Sequence, residues 1–130
     1  MDGLLVQQPF ADWIASGHKT WELRTARIYL PRKPFFILAT RTPHRIARDY
    51  DSTRLGVAVG IAESLGIEGP FRVEELKGRE RLHRIPQDVL SAYATGRMLY
   101  AMVLKAKPVG PVAYVAKRGA ITLLVDVQFA

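Results

Sequence analysis

Cysteine is absent from this chain, which excludes a disulfide framework and thiolate chemistry. No apolar run approaches the ~20 residues that a membrane-spanning helix needs, so no membrane partner is expected. Histidine is scarce: His18, His44 and His83 stand far apart, with no pair at i, i+4 spacing, so no metal site is expected. No glycine-rich phosphate loop, no Ser/His/Asp set and no cofactor motif is present. Met1-Asp2-Gly3 shows neither the basic nor the apolar region of a secretory leader, and a cytoplasmic location is the expectation. Acidic side chains are also in deficit, 12 Asp+Glu against 19 Lys+Arg, for a formal net charge of +7. On a small domain such an excess favours polyanionic partners, nucleic acid first among them.

The basic residues are unevenly spread. Arg27, Arg32, Lys33, Arg41, Arg45, Arg48 and Arg54 face only Asp49 and Asp51 in the same stretch. Downstream, Arg97, Lys105, Lys107, Lys117 and Arg118 face only Asp126.

Length and an apolar fraction of 48% fit a single domain over residues 1–130 with one real core. Residues 3–7 read as a first strand. Pro9, then Phe10, Trp13 and Ile14 at i, i+3, i+4 spacing, read as a short helix that Gly17 ends. Residues 20–25 alternate, Trp21 and Leu23 on a core side and Thr20, Glu22 and Arg24 on a polar side, the period of a half-buried strand. Lys19 stands where that strand begins. Phe35 to Ala39 is a buried-strand run, residues 42–54 are a polar loop or short exposed helix, and residues 55–65, with Gly56 and Gly60, are one bent strand. Residues 70–81 and 86–93 are helix candidates, the second better defined. Strands at 100–105, 112–116 and 121–127 follow, split by Pro108-Val109-Gly110-Pro111 and by Lys117-Arg118-Gly119. The pattern predicts an α+β fold: a small, partly closed barrel of about six or seven strands, with two or three short helices covering its openings.

The segment Leu5-Val6-Gln7-Gln8-Pro9-Phe10-Ala11-Asp12-Trp13-Ile14, followed by Gly17-x-Lys19-x-x-Glu22-x-Arg24, resembles the ASCH (activating signal cointegrator homology) domain, a family of PUA-like β-barrels. Phe35 to Ala39, Leu55 to Gly60, and Lys107-Pro108-Val109 to Gly119-Ala120-Ile121 fit later strands of that family, so the resemblance spans nearly the whole chain. It implies a cleft between the first helix, the motif strand and the central strand, and RNA or other nucleic acid as partner. In that reading Lys19 and Arg24 meet a phosphate or a base edge, Arg as a bidentate fork and Lys as a point charge. Glu22 positions one of them or accepts from an exocyclic amine. Gln8 lines the cleft, Thr20 shares the polar side of the strand, and Arg41 and Arg45, with the basic segments 27–54 and 105–118, follow the backbone.

A small bacterial subset of the family resembles amidohydrolases that act on N4-acetylcytidine. Their motif is close to G-x-K-x-x-T-x-R, so Lys19 and Arg24 match while Glu22 stands where that subset has its nucleophilic threonine. Thr20 lies earlier in the motif and is not its equivalent. A distal glutamate has three candidates, Glu63, Glu74 and Glu80, and no assignment. If the protein is an enzyme, Lys19 and Glu22 are the catalytic candidates; acid–base work by that pair requires burial that lowers the lysine pKa. A nuclease is the third class, without a carboxylate cluster to hold a metal. A protein-interaction module is the fourth, with Trp21 and Tyr29 as contact candidates. A monomer is the expected state.

Overall fold

The computed structural model describes residues 2–116 and 124–129. Strand β1 (Asp2–Val6) leads into helix α1 (Phe10–Ala15), then strands β2 (Trp21–Arg24), β3 (Phe35–Ala39) and β4 (Val57–Phe71). A 3₁₀ segment (Val73–Arg79), helix α2 (Glu80–His83) and helix α3 (Gln87–Ala94) separate β4 from β5 (Leu99–Ala116), and β6 (Leu124–Phe129) follows. The strands form one mixed sheet in the order β2-β5-β4-β3-β1-β6. Among the described strands only β1 and β3 run parallel, with Leu4 opposite Ile37. β6 pairs with β1 through Asp126 and Asp2, and with the far end of β5 through Phe129 and Tyr114.

The apolar patterning accounts for the core. Leu4, Val6, Phe35, Ile37, Val59, Leu99, Met102 and Leu104 are buried between the sheet and the helices. Phe10, Ala11, Ile14 and Ala15 form the buried face of α1. Gly17 follows at φ +83°, the left-handed conformation that a residue without Cβ adopts freely. Gly60 lets α1 lie against the long hairpin: a Cβ there would stand 2.8 Å from the Ala15 Cβ and 3.1 Å from the Lys107 carbonyl oxygen. Residues 42–54 carry two 3₁₀ turns, Arg45–Ala47 and Ser52–Arg54. Arg54 anchors the stretch to α1 through Asp12, donating at 2.7 and 2.8 Å, and the Tyr50 hydroxyl donates to the same carboxylate.

Two boundaries differ from the sequence reading. The bent strand runs on to Phe71 through Gly66 and Gly69, both at positive φ, so Pro70 closes a strand instead of opening a helix. The helical stretch after it starts as 3₁₀ at Val73 and turns α only over Glu80–His83. Residues 100–105 and 112–116 are one continuous strand, β5, with Pro108 and Pro111 inside it. Among the described residues its second edge is paired only at its two ends, with β2 over 100–103 and with β6 over 114–116. Prolines are tolerated between them because, among the described residues, that stretch pairs on one side only, with β4. The Lys117-Arg118-Gly119 turn and the first three residues of the expected last strand lie outside the described residues.

Gly60→Ala is expected to destabilise the fold by about 1–3 kcal/mol through overpacking against Ala15 and the β5 backbone. Urea unfolding measures it, and a midpoint equal to the parent's would show that α1 does not seat on Gly60.

Candidate functional site

β2 is too short to hold charged side chains by itself, yet all four of its residues are buried. Antiparallel pairing to β5, Glu22 opposite Met102 and Arg24 opposite Tyr100, fixes its backbone on one edge. Trp21 packs into the core, stacked on Phe71 at 5.6 Å with the Arg79 guanidinium over both rings. Glu22 and Arg24 face a second compartment, enclosed by β1, α1 and α3. The sequence reading placed them on a polar strand face; α3 and β1 roof that face over.

Lys19 is the deepest charge, with 1% of its surface exposed. Its Nζ donates to the Trp21 carbonyl at 2.6 Å and to the His83 carbonyl at 2.7 Å. It stands 3.6 Å from Glu22 Oε1. Glu22 Oε2 accepts from Arg24 Nε at 3.0 Å and from Nη2 at 2.5 Å. Arg24 Nη2 also donates to the Leu5 carbonyl at 2.9 Å, which ties β2 to β1 across the compartment. Among the described residues Arg24 Nη1 has no partner, so the guanidinium keeps donor capacity for a ligand. His83 holds its own carbonyl in place: Nδ1 accepts from the Ile85 amide at 2.9 Å and Nε2 faces the Leu76 carbonyl at 3.0 Å, which puts the ring proton on Nε2.

Burial dominates the Lys19 pKa and drags the ammonium from 10.5 down to about 8, against the pull of Glu22. The same burial opposes ionisation of Glu22, but Arg24 and then Lys19 outweigh it and hold the carboxyl below its usual 4.5. At neutral pH the trio is therefore ammonium, carboxylate and guanidinium.

Above the trio lies a cavity of about 330 Å³. Glu22 and Arg24 form its polar wall, with Leu5, Phe10, Ile85 and Val89 among the apolar walls. Tyr93, 47% exposed, stands at its rim. His44 lines it too; its Nδ1 accepts from the Ile46 amide, and partial burial with Arg45 beside it lowers the ring pKa, so the imidazole is neutral.

The other sequence candidates are dispersed. Gln8 is fully buried, donating to the Arg54 carbonyl at 3.0 Å and accepting from the Asp12 amide at 2.9 Å, so its amide fastens α1 and the 42–54 loop and does not line the cavity. Thr20 precedes β2 and engages Leu82 and Leu104 through its backbone. Arg41 and Arg45 are exposed, each beside a lining residue, Thr40 and His44. The sequence reading missed the roof, Ile85, Val89, Leu90 and Tyr93. Its signal was present as an apolar i, i+1, i+4 set on the better helix candidate, without an indication of what that face covers.

Lys19 is expected to titrate near pH 8, followed by NMR at its Cε; a midpoint above 10 would contradict the burial. Because the unfolded chain still binds that proton up to 10.5, this group makes the fold more stable as pH rises from about 8 to 10.5 and costs stability below 8. Lys19→Met is expected to lose about 1–3 kcal/mol at pH 7 for each of the two buried carbonyls it leaves without a donor, with Glu22 still paired to Arg24, read from denaturant midpoints.

No protein-family model and no curated protein matches the sequence. Solved structures do. The ASCH protein of Zymomonas mobilis is 26% identical over 86% of this chain and 72% of that one, with a TM-score of 0.66. A serine-to-alanine mutant of it matches equally, at 26% identity and a TM-score of 0.66 over 86% of this chain and 72% of that one. A tyrosine-to-phenylalanine mutant matches at 25% identity and a TM-score of 0.64, covering 86% of this chain and 74% of that one. The chain has an ASCH-family, PUA-like α+β fold.

Proposed function

We propose that the protein binds RNA by taking one unstacked base into the cavity at the Gly17-x-Lys19-x-x-Glu22-x-Arg24 strand. The observation that carries this reading is the ionised Glu22 carboxylate, pinned beside a partly unspent Arg24 guanidinium in the wall of a cavity of about 330 Å³. A carboxylate accepts from ring or exocyclic N–H groups, and a guanidinium donates to a carbonyl or phosphate oxygen. Phe10, His44 and Tyr93 in the lining supply the rings on which a base can stack, as single-strand recognition uses, and the aliphatic side chains add apolar contact. The net charge of +7 supplies sequence-independent attraction to the backbone. Lys19 acts from beneath as a positioning residue, because two of its three donors go to carbonyls and its ammonium stands beside Glu22. Closure of the strands into a barrel belongs to the same reading, supported by the pairing of β6 with both β1 and β5.

A second reading has one observation in its favour. Burial lowers the Lys19 pKa to about 8, as acid–base catalysis by a lysine requires. An amidohydrolase acting on a nucleoside such as N4-acetylcytidine would then use Glu22 to take a proton from a water that adds to the amide carbon. The proton passes to the leaving nitrogen, and amine and acetate are released. Glu22 in place of the threonine and the engaged Lys19 donors weigh toward binding.

Arg24→Lys, which keeps the charge and loses the fork, is expected to weaken single-stranded RNA binding about 10- to 100-fold. Val89→Phe, which fills part of the cavity without touching the trio, is expected to weaken it as well. Fluorescence anisotropy with denaturation controls measures both, and normal binding by both variants would remove the proposed site. Turnover of N4-acetylcytidine that Glu22→Gln abolishes would establish the second reading instead.

A further inference from the structure

The strand β2 hands over at Arg24 to residues 25–34, a segment that pairs with no strand before β3 begins. Its sequence, Thr-Ala-Arg-Ile-Tyr-Leu-Pro-Arg-Lys-Pro, holds three cations and no acid. Ile28 and Leu30 pack against the core and peg it down. Between those pegs Tyr29 is 75% exposed, the highest value among the exposed large apolar side chains of the described residues, and Arg27, just before them, is exposed too. The Arg27 guanidinium lies 5.7 Å from the Tyr29 ring centroid. It lies over the ring as a cation–π partner, while most of the ring surface remains in solvent. Arg32 and Lys33 continue the exposed line.

The two ends of this segment lie at two different cavities. Arg24 lines the one described above. Pro34 lines a second, of about 230 Å³, whose other walls are Ile61, Ala62 and Glu63 of β4 and Lys105, Ala106 and Lys107 of β5. Lys105 and Lys107 are two apart on one strand and so share a face. Lys107 lies opposite Ile61 and Lys105 opposite Glu63. No ion pair within 4.0 Å engages either lysine among the described residues, so Glu63 offsets part of the charge without capturing it. Two ammonium groups on the wall of a small concavity suit a phosphate.

We propose that residues 25–34 are a track for single-stranded nucleic acid, leading from the base cavity past a stacking platform at Tyr29 to a phosphate site at Lys105 and Lys107. The proposal rests on the base-cavity reading and extends it to a partner several nucleotides long. Charge complementarity selects a polyanion, and an exposed aromatic ring between cations selects unpaired bases over a duplex or an acidic peptide.

The test compares three probes on the whole protein: a ribonucleoside monophosphate, a single-stranded RNA of about twelve nucleotides, within the site sizes of single-strand binders, and a polyglutamate peptide. The long strand is expected to bind at least tenfold more tightly than the mononucleotide. Tyr29→Ala is expected to weaken the long strand about 5- to 100-fold and leave the mononucleotide unchanged. Lys105→Gln with Lys107→Gln is expected to make the salt dependence of long-strand binding shallower by about 1.4 in log–log slope. Long-strand binding that neither variant alters would overturn the track, whatever the mononucleotide does. Polyglutamate binding with the same dependence on Tyr29 would overturn it in favour of an acidic protein partner. A mononucleotide that fails to bind, beside a long strand that binds with these dependences, would leave the track and remove the base cavity. All these side chains are exposed or on a strand surface, so the variants are expected to fold.

Discussion

A lysine ammonium taken fully out of water is the constraint around which this protein is arranged. The cost of such burial is several kcal/mol even after relaxation, and it must be offset locally. Here the offset comes from three directions: the Trp21 carbonyl from β2, the His83 carbonyl from the end of α2, and the Glu22 carboxylate. The His83 ring is itself held between Leu76 and Ile85. A charge that satisfies these partners fixes the helical segment after β4 against the motif strand, and α3, continuing from that segment, becomes the roof of the cavity. Arg24 completes the arrangement on the other side by reaching the Leu5 carbonyl.

The same economy explains the outward face of the molecule. The ion pairs among the described residues use Asp12, Glu22 and Glu75. With 12 acids against 19 Lys+Arg, cations remain without partners, and residues 25–34 concentrate them where no acid intervenes. The inner charges are neutralised and immobile and suit discrimination. The outer ones are solvated and suit attraction and salt-dependent attachment. The fold separates the paired inner charges from the solvated outer ones by depth.

Much of the scaffold was legible because it is local. The Phe10, Ile14 and Gly17 pattern carries α1, alternation around Trp21 carries β2, and the run from Phe35 carries β3. The helix start expected at Pro70 and the break expected at Pro108 failed for one reason. Proline propensity is read against an isolated segment, whereas both residues sit where the long hairpin tolerates a missing amide. Gln8 was legible as important but not in its role: only the assembled loop shows its amide spent on Arg54 and Asp12.

By itself the sequence determined the charge excess, the α+β ordering and the closeness of Lys19, Glu22 and Arg24, since those depend on composition and on neighbours within a few residues. The tertiary structure decided which of the three faces the cavity. Lys19 lies beneath the cavity because the His83 carbonyl, 64 residues away, accepts its hydrogen bond, and Glu22 and Arg24 line a half-open cavity because α3 packs over their strand. Burial and enclosure arise from chain segments remote in sequence, and no local pattern encodes which of them will meet.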